Sequence, residues 1–306
     1  MNKSRRNFLK YAALSGVVAA VGEAGASEKK PISDDSYGMI YDTTRCIGCR
    51  TCEQSCNEQN KLPEPKIPFD DEGVLEKYRT TGPDNFTVVN RFKNPKPDGD
   101  PLNCKIQCMH CNEPGCASAC IVNALNKTPE GSVFWDSKKC IGCRYCMIAC
   151  PFQVPKYEFN DALTPRVRKC TFCYTDERLK SGNMPACAEN CPAEAITFGK
   201  RKDLIIQARE RIAESPDEYL DHIYGEHEVG GTAKMYLAPK AVKDLTYFKF
   251  PGNLKDEPVP QMTETIQHSV FKYFIPPVAA YAVLGGIMYA KKPKHGSEND
   301  EEGEVE

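Results

Sequence analysis

At 306 residues the chain is long enough for one or two domains. Its 40 basic and 42 acidic residues nearly cancel, which argues against a nucleic-acid partner. Hydrophobic residues make up 41%, and 23 prolines with 21 glycines predict a loop-rich fold. The chain opens with Ser4-Arg5-Arg6-Asn7-Phe8-Leu9-Lys10, an uncharged run from Tyr11 to Val21, then Ala24-Gly25-Ala26. This reads as a twin-arginine export signal over residues 1–26, cleaved after Ala26. A soluble basic helix is the alternative, but the run is apolar all round.

A strand over Tyr37–Tyr41 leads into Cys46, Cys49, Cys52 and Cys56, spaced C-x-x-C-x-x-C-x-x-x-C. A polar, proline-rich insertion over 57–103 follows, with one predicted strand, Phe86 to Phe92. Next come Cys108, Cys111, Cys116 and Cys120, with four residues between the second and third. A strand over Gly131–Trp135 leads into Cys140, Cys143, Cys146 and Cys150, which repeat the first spacing and are followed by Pro151. Cys170, Cys173, Cys187, Cys191 and Pro192 form the fourth group, and Ala195–Gly199 reads as a strand. Leu204, Ile205 and Ala208 predict a surface helix over Asp203–Arg211. Tyr224–Thr232 is glycine-rich without a phosphate-loop pattern and reads as a turn packed against the cysteine-bearing domain.

Four groups of four thiolates match four cubane [4Fe–4S] clusters at four ligands each. A C-x-x-C-x-x-C loop wraps one face of a cluster, and its backbone N–H groups offset the charge on sulfur. The fourth cysteine, three residues on, starts a helical turn, faces away, and is expected on a second cluster. Disulfides need separated, matched Cα pairs, which adjacent C-x-x-C loops supply poorly. Structural zinc leaves the third and fourth cysteine of each group without a role, and a redox dithiol needs only one C-x-x-C. The recurrence of strand, cysteine loop, helical turn and strand predicts an α+β fold of duplicated bacterial-ferredoxin-like domains with insertions. Metal binding then replaces part of the apolar core as a source of folding energy.

Tyr273 to Ala290 carries no charge, with Pro276 and Pro277 in its first turns and Lys291, Lys292 and Lys294 after it. This predicts one C-terminal transmembrane helix, with the tail on the cytoplasmic side and the cysteine domain outside. A buried core helix is the alternative. The acidic end, Glu298 to Glu306, reads as a solvated tail. The expected organisation is a signal over 1–26, a four-cluster domain over 27–265, an anchor over 266–291 and a cytoplasmic tail over 292–306.

The motifs Gln107-Cys108-Met109-His110-Cys111 and Cys140-Ile-Gly-Cys-Arg-Tyr-Cys-Met-Ile-Ala-Cys-Pro151 resemble those of the four-cluster iron–sulfur subunits that accompany molybdopterin oxidoreductases and membrane hydrogenases. The resemblance covers roughly residues 37–200. The export signal, the Tyr224–Thr232 stretch, Ile266-Gln267-His268 and the single span are together similar to the HybA-type subunit of membrane-bound nickel–iron hydrogenases. The beta subunit of N-type formate dehydrogenase shares the span and the glycine stretch but usually travels on its partner's signal. The resemblance implies that the first group pairs with the fourth and the second with the third. Cys46, Cys49 and Cys52 would share a cluster with Cys191, and Cys56 would join Cys170, Cys173 and Cys187. Cys108, Cys111 and Cys116 would share one with Cys150, and Cys120 would join Cys140, Cys143 and Cys146. Ile121 stands where proline is common. The implied partners are the hydrogenase large and small subunits and an integral membrane quinone-reacting subunit, at the periplasmic face of the inner membrane.

Cys104 is left over and reads as a buried passenger rather than a ligand or redox thiol. His110 is expected to hydrogen-bond locally, Met109, Met147 and Phe172 to pack around clusters, and Trp135 to sit in the core. His268 is placed before the span, and Lys138, Lys139 and Lys169 on a solvated face. No catalytic constellation is present: there is no nickel set, pterin site or triad. A membrane-tethered structural metal scaffold is the competing class.

Overall fold

The computed structural model describes residues 35–159, 166–260, 281, 282, 284–286 and 288. The chain divides into Met1–Ser33, which lies outside the described residues, and Asp34–Glu306. The outer sheet has the order β8-β1-β9, from β1 (Tyr37–Asp42), β8 (Ile196–Lys200) and β9 (Lys234–Leu237). β8 runs antiparallel to β1 with Met39 opposite Phe198, while β9 is parallel with Ile40 opposite Met235.

Alternation along β1 gives the sheet two buried faces. Ile40, Met235 and Leu237 pack under α5 (Arg201–Glu214), against Leu204, Ala208 and Ile212, which recur every fourth residue on one helix face. Met39, Tyr41 and Tyr236 face the other way, into a cluster that includes Cys52, Cys187, Met109 and Phe172. The cysteine groups thus hang beneath a sheet that α5 closes from above.

A second antiparallel pair, β4 (Leu125–Lys127) with β5 (Val133–Trp135), joins the second cysteine group to the third. β1 precedes the first group and β8 follows the fourth, so the inner pair nests within the outer one. Tyr37 N–H donates to Glu130 O at 2.9 Å and ties the two together. At that seam Gly131 has φ 104°, and a Cβ there would lie 2.5 Å from Tyr37 O. α1 (Thr51–Asn60) packs on α4 (Ala186–Glu189), and α2 (Gly115–Ser118) on α3 (Tyr145–Ile148). The short β6 (Lys156–Tyr157) and β7 (Val167–Arg168) pair between the third and fourth groups.

Five strands are absent from the sequence reading: the short β4, β6 and β7, and, with more consequence for the site, β3 and β9. The insertion holds a hairpin: β2 (Val88–Phe92) pairs with β3 (Leu102–Ile106), with Asn90 opposite Cys104. β3 escapes a hydrophobic pattern because Asn103 and Lys105 are buried. The Asn103 amide nitrogen donates to Cys46 O at 3.1 Å, which ties β3 to the first cysteine loop. β9 follows the glycine-rich stretch, whose loop it anchors: Tyr224 and Tyr236 exchange backbone bonds of 3.1 and 2.9 Å. That loop does pack on the second cysteine group, with Cys111 bridged to Thr232 and Asn112 N–H donating to Gly231 O at 2.9 Å.

Among the described residues no helix is long and apolar enough to cross a membrane. The expected signal, the acidic tail, His268 and most of the expected span lie outside the described residues.

Candidate metal centres

All seventeen cysteines are described and none is in a disulfide. The two C-x-x-C-x-x-C loops share one backbone path. Gly48 and Gly142 have φ 76° and 71°, and Arg50 and Arg144, which start α1 and α3, have φ 61° and 62°. A non-glycine residue held in this region needs local support. Arg50 has it, because one guanidinium nitrogen donates to Pro68 O, Phe69 O and Asp71 O at 2.8, 3.1 and 3.0 Å. Arg144 instead covers the ring of Tyr157 at 5.3 Å. The turn after the last cysteine also recurs: Asn123, Gln153 and Glu194 have φ 51°, 53° and 48°, and each N–H donates back to Cys120, Cys150 or Cys191.

Electrostatic neighbours show which thiols face each other. Burial is the main reason Cys46 is pushed up, and Cys191 and Cys49 add repulsion. Cys56 is pushed well up by burial, then by Cys170, Cys187 and Cys173. Cys111 is pushed up by burial, then by Cys150, Cys108 and Cys116. Cys146 rises to about 11 through burial, then through Cys140, Cys143 and Cys120. Each quartet therefore joins three thiols of one group to the last thiol of another. Two small cavities are lined by such sets: Cys46, Cys49, Cys52 and Cys191 in one, Cys120, Cys140, Cys143 and Cys146 in the other.

Four thiols that mutually oppose ionisation form a site that favours a bound cation, since metal binding is what offsets the cost of deprotonating them. Among the described residues no His, Cys, Asp or Glu set converges tightly enough for a single metal ion. A cavity ringed by thiols instead suits a polynuclear cluster, whose ligands bind different metal atoms. Donors to sulfur are in place as well. Ala124 N–H donates to Cys120 Sγ at 3.1 Å and Phe172 N–H to Cys170 Sγ at 3.4 Å. Backbone N–H groups of Val154, Phe152 and Gln153 work against burial at Cys150, which still rises to about 11. By donor set, cavity and backbone dipoles the residues fit [4Fe–4S] clusters.

The quartets lie in a row. Cys49 and Cys143 bring the outer two to the surface, whereas Cys56, Cys170, Cys173 and Cys187 are all buried. Cys52 neighbours Cys187 across the first junction. Cys56 and Cys170 share an apolar cluster with Cys108 and Cys150 at the second. Cys116 neighbours Cys146 across the third.

His110 is fully buried, and its Nδ1 accepts from Val133 N–H on β5, twenty-three residues on, at 2.9 Å. Burial, then Lys169, Lys234 and Lys127, holds it well below the usual histidine range. Met109 and Phe172 are buried beside the thiols, while Met147 and Trp135 are only half-buried. Cys104 is fully buried in β3, and burial, then Cys46, pushes its thiol well up. Lys138 and Lys139 are exposed, but Lys169 corrects the sequence reading. It is buried, and its ammonium donates to Val133 O at 2.5 Å and Cys170 O at 3.1 Å. Its neighbours Arg168 and Cys170 give no hint, because one of the two carbonyls that hold it, Val133 O, comes from a strand over thirty residues away.

Lys105, Lys234, Gln107 and Glu53 are buried site residues that the sequence reading did not single out. Lys234 left a usable signal: it is the one charge within Ala233-Lys-Met-Tyr-Leu-Ala238.

Residues 103–201 match the family model of a 4Fe-4S dicluster domain. The hydrogenase-2 operon protein HybA of Escherichia coli O157:H7 is 33% identical over 332 residues, covering 98% of this chain and 99% of the relative. The chain belongs to the HybA family of iron–sulfur proteins. Formate dehydrogenase iron–sulfur subunits are relatives too, such as that of Haemophilus influenzae, 35% identical over 82% of this chain and 77% of its own length. A Nitratidesulfovibrio vulgaris protein is 53% identical over 239 residues, but the match spans only 64% of that relative's length and 76% of this chain. The dicluster match takes in the second, third and fourth cysteine groups, and the first group precedes it.

Proposed function

We propose that the chain is a non-catalytic electron relay carrying four [4Fe–4S] clusters between a periplasmic nickel–iron hydrogenase and a membrane quinone-reacting subunit. The row of quartets, which reaches the surface at its two ends through Cys49 and Cys143, carries this reading. When bound, the clusters supply centres that gain and lose single electrons. The chain's own residues do the rest. The sixteen cysteines hold the centres in the crossed pairs described above. Met109 and Phe172 keep water from the inner quartets, and backbone N–H groups offset charge on the sulfurs. Cys49 and Cys143 bring the outer quartets within reach of partners. Export by the twin-arginine route, with clusters loaded beforehand, and a single C-terminal tether complete the proposal.

The relatives named as formate dehydrogenase iron–sulfur subunits favour a second reading, in which the electron source is a molybdopterin subunit. Anaerobic purification of the full chain with whatever co-purifies separates the two: nickel in the complex supports the first, molybdenum the second. Iron well below about sixteen atoms per chain, or redox-silent protein, overturns both in favour of a structural scaffold. Cys56→Ser tests the crossed pairing. It is expected to disturb the centre held by Cys170, Cys173 and Cys187 and to spare the one held by Cys46, Cys49 and Cys52; the reverse pattern overturns the pairing.

A further inference from the structure

Two buried ammonium groups meet at one amide oxygen in the middle of the row. Lys105 on β3 and Lys234 on β9 are 0% and 1% exposed, and Gln107 is 2% exposed. Lys105 Nζ donates to Gln107 Oε1 at 2.5 Å and Lys234 Nζ donates to the same oxygen at 2.9 Å. Lys234 Nζ also reaches Cys170 Sγ at 3.3 Å and sits 4.7 Å above the Phe172 ring. Neither lysine takes part in any ion pair among the described residues.

Two like charges in a low-dielectric interior, with no carboxylate between them, oppose folding unless negative charge lies beside them. Deprotonated as cluster ligands, the cysteine sulfurs are that charge. Although burial works to lower it, the proton affinity of Lys105 is raised, by Cys187, Cys52, Cys170 and Cys56 in that order. These four thiols come from the first two quartets of the row. Lys234 belongs to the next junction as well, because its own N–H donates to Met109 O, inside the second cysteine loop, at 3.1 Å. Tyr236 OH donates to Lys105 O at 2.9 Å, so β3 and β9 are bound together where their lysines converge.

We propose that Lys105 and Lys234, coupled through Gln107, are a fixed positive centre that raises the electron affinity of the site held by Cys56, Cys170, Cys173 and Cys187. The proposal rests on the clusters being present. A charge that stays in place stabilises whichever redox state carries the extra electron, and the effect is large where water does not screen it. The lysines act through the thiols as positioning residues and do not touch a substrate. With the first junction held by Lys105 and the second by Lys234, an electron entering at either surface meets a favourable centre inside the protein.

The test is a redox titration of the anaerobically purified full chain, followed by EPR. Lys234→Met removes the charge and keeps a long apolar stem. It is expected to weaken reduction of one inner centre at least about tenfold, 59 mV for one electron, with the two outer centres moving less. Lys234→Arg keeps the charge and is expected to stay closer to wild type. Gln107→Glu, nearly isosteric, gives the lysines a counter-charge and is expected to shift the same centre in the same direction as Lys234→Met. It decides the matter if Lys234→Met loses iron. Lys202→Met, at an exposed position on α5 across the sheet from the thiols, serves as the control and is expected to leave every centre unmoved. Wild-type protein without clusters overturns the relay itself. Wild-type clusters, with unmoved inner potentials in both Lys234→Met and Gln107→Glu, overturn this proposal and leave the relay standing.

Discussion

Glu53 is the strongest single tie between the first cysteine helix and the insertion. It is 5% exposed, in the first turn of α1 between Cys52 and Cys56. Its Oε1 accepts from Val89 N–H at 2.6 Å and from Arg79 at 2.5 Å, and its Oε2 from Arg79 at 3.0 Å and Arg50 at 3.3 Å. Glu53→Gln keeps one acceptor oxygen and the side-chain volume but leaves two guanidinium groups without their counter-charge. Removing one partner of a buried pair costs about 3–5 kcal/mol. The Arg79 side chain is 19% exposed and one oxygen survives, so the lower end of that range, about 3 kcal/mol, is expected. At about 1.4 kcal/mol per tenfold, this is roughly a hundredfold loss of protection for the β2–β3 hairpin.

Native-state hydrogen–deuterium exchange read by mass spectrometry over residues 86–106 measures that loss directly. It avoids an irreversible melt, which a metal-loaded chain would undergo. The exposed pair Glu72–Arg91, at 2.9 Å with side chains 75% and 33% accessible, supplies the contrast. Glu72→Gln is expected to cost about 0–1 kcal/mol. Protection of 86–106 within about twofold of wild type in Glu53→Gln, the scatter of a neutral surface change, refutes the assignment of Glu53 as the tie.

Cys104→Ala is expected to retain the full iron content and all cluster signals, and native Cys104 to resist alkylation, because its thiol is fully buried and held protonated; lost iron would make it a ligand. His222 bonds Glu228 at 2.7 Å, and that bond, then burial opposing it, leaves its pKa raised, with Glu226 and Asp256 also facing it. A raised folded value means the bond contributes fully below about pH 6.5 and is lost as pH climbs through the raised value. Exchange protection of 222–233, corrected for intrinsic rate, should therefore fall as pH rises from about 6.5 through the raised value in wild type and stay level in His222→Gln; an equal fall in both contradicts the assignment.

What was legible in the chain is what is local. The cysteine spacings mark the loops, because the left-handed turns at Gly48 and Gly142 and the turns after Cys120, Cys150 and Cys191 are short-range geometry. β1, β5, β8 and α5 all fall within or across their expected stretches, since Tyr37–Asp42 is rich in apolar and aromatic residues and Leu204, Ala208 and Ile212 keep helical spacing. What stayed hidden depends on partners distant in sequence. β3 looks polar because Asn103 bonds Cys46 O in the first cysteine loop and Lys105 faces thiols of the first and fourth groups. Lys169 looks like a surface lysine until β5 is folded against it. Glu53 reads as an ordinary helix residue, and only the position of Arg79, twenty-six residues on, makes it a buried anchor.

The hidden residues share a topological origin. Because the β4–β5 pair nests inside the strands that bracket the first and fourth groups, the chain must pass between the inner and outer halves. It does so through β3, which leads from the insertion into the second group, and through Lys169–Cys170, which leads from the third group to the fourth. β9 then returns along the second cysteine loop, with Lys234 N–H on Met109 O and Ala233 N–H on His110 O at 3.2 Å. Each passage carries one buried lysine: Lys105, Lys169 and Lys234. A crossing segment is flanked by thiols from both halves, so a cation there finds negative charge on two sides, while a carboxylate would be repelled by both. Nesting thus puts positive charge at the junctions between quartets, where an electron passing along the row must travel.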